Sequence, residues 1–182
     1  MQLMEAFIFL IRAIVGAYII LLLLRMLFQL VRADFYNPIS QAIVKLTSPL
    51  VIPLRRLLPA IGRIDTSSLL LAIVLQTLMV YVILLLKSFA LPLWQVAWWS
   101  ALDLLHRVLD IYTFALFFIV IVSWVAPYSR NPAAVLAAQL TEPLLRPVRG
   151  RIPPVAGLDF SVMIVMLFLY VLSNFIIPGA PV

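Results

Sequence analysis

The sequence predicts an all-α membrane protein in which four transmembrane helices form two parallel-repeat hairpins, each with an interfacial, proline-rich amphipathic segment. Three observations carry this. The chain is 65% hydrophobic and only 11% charged, against about 25% charged residues in a soluble domain. One stretch recurs at a constant offset of 94 residues without a gap, so that positions 37–67 align with 131–161 and 11 of 31 aligned positions are identical. Lysine and arginine are also distributed unevenly between the loops.

Helix one is predicted from about Ala6 to Val31, longer than the roughly 20 apolar residues a crossing needs. The opening Met1-Gln2-Leu3-Met4-Glu5 lacks a basic region and a small-residue cleavage site follows nowhere near, so no cleaved signal peptide is expected. Arg12 and Arg25 interrupt the run, and Arg25, a turn or two from its end, is expected to snorkel to the interface. The duplicate has Ile119 at that place.

Asn37-Pro38 reads as an N-cap followed by proline at the first helical position, where a missing N–H costs nothing. Ile39, Ile43, Leu46 and Leu50 recur at helical spacing, which predicts a short helix lying along the membrane surface. Thr47-Ser48-Pro49 reads as a second helix start, with Pro53 and Pro59 limiting any regular helix. Asp65 then caps helix two, 21 uncharged residues from Thr66 to Leu86 closed by Lys87. Gln76 inside it is expected to hydrogen-bond to a neighbouring helix.

Residues 88–104, with Pro92, Trp94, Trp98 and Trp99, read as an interfacial linker. It divides a first unit, 1–87, from a second, 105–182. Asp103, His106 and Asp110, with Arg107 beside them, share one helix face, which is expected to be solvated at the outer surface. Helix three is placed at about Ile111 to Tyr128. Asn131, Pro132, Pro143, Pro147 and Pro153 repeat the earlier cap and prolines, with Leu136, Leu140 and Leu144 on the apolar side. Asp159 caps helix four, Phe160 to about Ile177, where Ser173 and Asn174 are expected to bond between helices.

Ten of the 13 lysines and arginines fall in the first and third loops and three on the other side. The positive-inside bias therefore places both repeated loops in the cytoplasm and both termini outside it. Two crossings per unit make the repeats parallel, unlike the inverted repeats of many transporters. With no cysteine and a single histidine, thiol chemistry and Cys/His metal clusters are excluded, and neither a cofactor nor a metal is expected. The net charge of +6 is assigned to anionic lipid and not to nucleic acid.

The doubled pattern is Asn-Pro, Leu-Thr-x-Pro-Leu, Pro-x-Arg, Pro and Asp-x-Ser at the mouth of an apolar helix. It resembles the YggT family, also called YlmG, of small bacterial and plastid membrane proteins. Leu54-Arg55-Arg56-Leu57-Leu58-Pro59 is the most specific piece; Arg149-Gly150-Arg151 departs from it by splitting the paired basics. The resemblance implies a multi-pass protein of the bacterial inner membrane. It associates the chain with osmotic or ion tolerance, cell division and envelope organisation, and assembly of membrane complexes, and it supplies no catalytic residues.

The reading is therefore a non-enzymatic organising or assembly factor. Arg55, Arg56, Arg149 and Arg151 are its expected contacts to anionic headgroups or to a membrane-protein partner, which could be a second copy of the chain. The alternative is a small ion channel or transporter component. An intramembrane enzyme built on Asp103, His106 and Asp110 ranks third, because no nucleophile is paired with them in sequence.

Overall fold

A computed structural model of the chain describes residues 2–58, 60–89, 91–126, 131–152 and 159–176. Among these, regular structure is entirely helical. The first helix, α1 (Gln2–Val31), is about 45 Å long at 1.5 Å per residue and is one of three helices long and apolar enough to cross a membrane. It stops where Arg32 takes a left-handed conformation (φ 57°) and the Ala33 N–H returns to the Phe28 carbonyl at 2.9 Å, a helix-ending geometry usually reserved for glycine.

The second helix, α2 (Pro38–Leu57), begins as the sequence predicts: the Asn37 side chain accepts from the Ile39 N–H at 3.0 Å, and Pro38 occupies the first turn. It then continues unbroken through Pro49 and Pro53, so Thr47-Ser48-Pro49 is not a second start. Both prolines sit on the exposed side of the helix, where the carbonyls they strip of partners are open to the surroundings. The hydroxyls of Thr47 and Ser48 meanwhile bond back to Ile43 and Val44 in the preceding turn.

The side chains α2 packs into the protein are mostly small or hydroxyl-bearing. Ser40, Ile43, Thr47 and Val51 point into the protein, while Ile39, Leu46 and Leu50 are exposed. In a lipid environment large apolar side chains gain nothing by leaving the surface, and close helix contacts favour small or hydrogen-bonding residues. Pro59 and Pro153 lie outside the described residues.

The third helix, α3 (Thr66–Leu86), is capped by Asp65, which accepts from the Ser68 N–H. The fourth, α4 (Leu93–Val125), is one 33-residue helix. Residues 93–104 therefore extend the span that was expected to begin near Ile111; Pro92 stands at the N-cap, and no proline or glycine interrupts the run after it. Trp94 and Trp98 ride on this extension, well exposed.

The fifth helix, α5 (Pro132–Arg149), repeats the design of α2: Asn131 accepts from the Ala133 N–H at 2.9 Å, and the helix runs through Pro143 and Pro147. It buries Leu136, Ala137, Leu140, Thr141 and Leu145. The sixth, α6 (Phe160–Val171), passes into a π-helical turn, Leu172–Ile176. The described apolar segment here, Phe160–Phe175, is shorter than the other three.

Four apolar clusters hold the helices. Ile19, Leu22, Leu23, Val51, Leu71, Ala72 and Leu104 join α1 to α4. Leu27, Phe28, Ile43, Ala115, Leu136 and Leu140 bring α1, α2, α4 and α5 together, α6 packs on α4 and α5 through Leu116, Leu145 and Val165, and Ile8, Met79 and Ile83 tie α1 to α3.

The starts of α2 and α5 abut. The Asn37 amide donates to the Pro132 carbonyl at 2.9 Å, and the Asp34 N–H donates to Gln139 Oε1 at 2.9 Å. Both amphipathic helices therefore lie at one end of the molecule.

Candidate functional site: two arginine–carboxylate clamps and a polar group within the span

Where α2 returns to α3, three helices meet on one carboxylate. Asp65 is fully buried; its Oδ2 receives Arg55 Nη2 at 2.7 Å and lies 3.3 Å from Arg25 Nε, and Ser68 Oγ donates to it at 2.8 Å. The other side of the Arg25 guanidinium reaches α2, where Nη1 donates to Thr47 Oγ1 at 2.8 Å and to Ser48 Oγ at 3.2 Å. Ser67 closes the corner by donating to the Leu58 carbonyl at 2.8 Å. Asp65 thus does more than cap α3. It is the counter-charge for two arginines, one of which comes from α1.

Arg25 does not snorkel. It is 5% exposed, held by the carboxylate and by α2 hydroxyls that are themselves bonded within their helix. Sequence reading missed it because it has no counterpart in the second copy. The signal that could have found it was the pair Thr47 and Ser48, hydroxyls two turns of α2 before Arg55 and in reach of a cation on a neighbouring helix.

Ninety-four residues on, the corner is rebuilt on the surface. Arg149 places Nε and Nη2 each 2.8 Å from Asp159 Oδ2, and Nη1 3.2 Å from Glu142. Asp159 accepts the Ser161 N–H at 3.0 Å. Its partial burial opposes ionisation, yet the Arg149 and Ser161 hydrogen bonds hold its carboxyl below the usual carboxylate range. Here Ile119 replaces Arg25 and Glu142 replaces Ser48. Thr141 bonds only within its own helix, to Ala137 and Ala138. Two cations and one anion in the first corner become one cation and two anions in the second.

Arg149 therefore spends its planar fork on carboxylates of its own chain, and Arg55 gives Nη2 to Asp65 and to Gln29 Oε1, although each side chain keeps 41% exposure. Arg56 and Arg151 are exposed and form no ion pair among the described residues.

A second polar group lies between α1, α3 and α4. Gln76 donates to Asp103 Oδ2 at 3.2 Å, the cross-helix bond the sequence predicts. The face carrying Asp103, His106 and Arg107 is not solvated as expected. All three are half-buried, His106 Nε2 lies 3.0 Å from the Ser173 carbonyl of the last helix, and only Asp110 is exposed. Asn174 bonds within its own helix, to Tyr170. Among the described residues no group of side chains could hold a metal ion, and neither Asp103 nor His106 is bonded to a hydroxyl nucleophile.

The geometry defines an all-helical protein of the membrane-spanning class, in which polar side chains join one helix to the next. The chain belongs to the CCB3/YggT family, whose profile matches it twice, over residues 4–86 and 98–180. It is 42% identical over 174 residues to the uncharacterized protein PA0392 of Pseudomonas aeruginosa, covering 94% of this chain and 88% of the relative. It is 40% identical over 171 residues to the uncharacterized protein YggT of Escherichia coli K12, covering 93% and 88%. A protein encoded in the proC 3' region of Vibrio alginolyticus is 37% identical over 175 residues, covering 95% and 94%. No solved structure matches the chain.

Proposed function

We propose that the protein is a non-enzymatic organising or assembly factor of the bacterial inner membrane, built from two copies of one helical unit with two crossings each. In this reading α2 and α5 lie side by side on the cytoplasmic leaflet and present a basic surface to anionic headgroups and to a membrane-protein partner. The observation that carries it is the Asn37–Pro132 bond, which sets the two amphipathic helices together at one end of the molecule. Support for the duplication comes from the two profile matches, which are displaced by the same 94 residues as the repeated positions.

The clamps give this surface its shape. Each fixes the end of an amphipathic helix to the start of the following apolar one, leaving Lys45, Arg56, Arg146 and Arg151 exposed. A basic side chain near an anionic leaflet contributes about 1 kcal/mol. Replacing these four with Gln is therefore expected to lower retention of anionic phospholipid at least tenfold, as read by native mass spectrometry of the purified protein, with helical content unchanged. Equal retention by the variant and the parent would overturn the reading.

A small channel or transporter component is the second reading, favoured by the polar group at Gln76 and Asp103 within the span. Ion flux from purified protein in liposomes would promote it, and silence across ions and voltages would remove it.

A further inference from the structure

Gln76 is the eleventh of the 21 residues of α3, about 15 Å from either end of the helix at 1.5 Å per residue. Gln76 is 1% exposed; the amide N–H is used on Asp103, and Oε1 has no partner among the described residues. Beside it is a cavity of about 170 Å³, lined by Arg12 from α1, Gln76 and Val80 from α3, and Asp103 and Arg107 from α4. Arg107 reaches towards α1 at Gly16, where an added Cβ would lie in ordinary contact, 3.6 Å from the guanidinium.

Among the described residues neither Arg12 nor Arg107 forms an ion pair. Two guanidinium groups and one carboxylate line this cavity, and Arg107 also lines, beside Asp110, a separate apolar groove among α1, α2, α4 and α5. Charges left without partners in an apolar span are costly. The volume is enough for several waters, and guanidinium donors with a surplus positive charge in the cavity suit an anion. The unpartnered Gln76 oxygen calls for a donor within this cavity.

We propose that this cavity is a hydrated binding site for a small anion inside the membrane span, with Arg12 and Arg107 as the holding groups and Gln76 bonding an accompanying water. The chain has no cysteine, so single cysteines report on it directly. In the full-length protein reconstituted in liposomes, Val80→Cys is expected to react with a membrane-impermeant anionic methanethiosulfonate. With each rate normalised to that for a free thiol, the anionic reagent should exceed a cationic one of similar size at least fivefold. Leu78→Cys, on the exposed face of α3, should not react, and adding Arg107→Gln to Val80→Cys should bring the two rates to within twofold. Met79→Cys, also on the cavity wall, serves if Val80→Cys does not fold. No reaction at either position, equal rates for the two reagents, or a preference that survives Arg107→Gln would overturn the proposal.

Discussion

Asp65→Ala is expected to destabilise the protein by about 3 to 5 kcal/mol, the cost of breaking a buried ion pair and leaving one partner without a counter-charge. Arg25 cannot reach solvent from its place between α1 and α2, and the hydroxyls of Thr47 and Ser48 offer it hydrogen bonds but no negative charge. The same change in the second copy, Asp159→Ala, removes a helix cap and a pair that is partly exposed on both sides. Its expected cost is about 0.5 to 2 kcal/mol from the cap, with little added by the pair. Titrated unfolding in mixed micelles should separate the two variants clearly.

Arg25→Leu sharpens the test. Alone it leaves Asp65 paired with Arg55 and is expected to be the milder change. Combined with Asp65→Ala it removes the stranded cation, so the double variant should be more stable than Asp65→Ala by itself. Equal costs at Asp65 and Asp159, or no recovery in the double variant, would show that the buried triad contributes nothing special.

What the sequence made legible was whatever depends on neighbours a few residues away. The caps at Asn37, Asn131, Asp65 and Asp159 each bond to an N–H two or three positions on, and the bounds of α3 follow from an uncharged run closed by Lys87. Depth and continuity were harder to read. Proline predicts a break, yet α2 passes through Pro49 and Pro53 because both sit on its exposed face and the hydroxyls of Thr47 and Ser48 serve the adjoining turn. The depth of Arg25 depends on how α1 packs against α3, which no local pattern records. Asp103 and His106 read as a solvated outer-surface face because these residues are not shared between the two copies; with the helix beginning at Leu93, they fall opposite Gln76 and Ser173.

The different surroundings of the two corners bear on the basic surface. A corner sealed by Arg25 holds α2 rigidly against α1, whereas the second, with Glu142 and Asp159 sharing Arg149 at the surface, ties α5 only to α6.

Cysteine labelling of the two amphipathic helices in intact cells tests the shared cytoplasmic face most directly. Lys45→Cys in α2 and Ala138→Cys in α5 are both exposed on the protein surface, and both should be protected from an impermeant thiol reagent in whole cells yet react in inverted membrane vesicles. Gln2→Cys and Lys87→Cys should show the reverse. Labelling of Lys45→Cys and Ala138→Cys from opposite sides of the membrane would contradict the side-by-side arrangement and the parallel repeats, and labelling of both from outside would contradict the cytoplasmic basic surface.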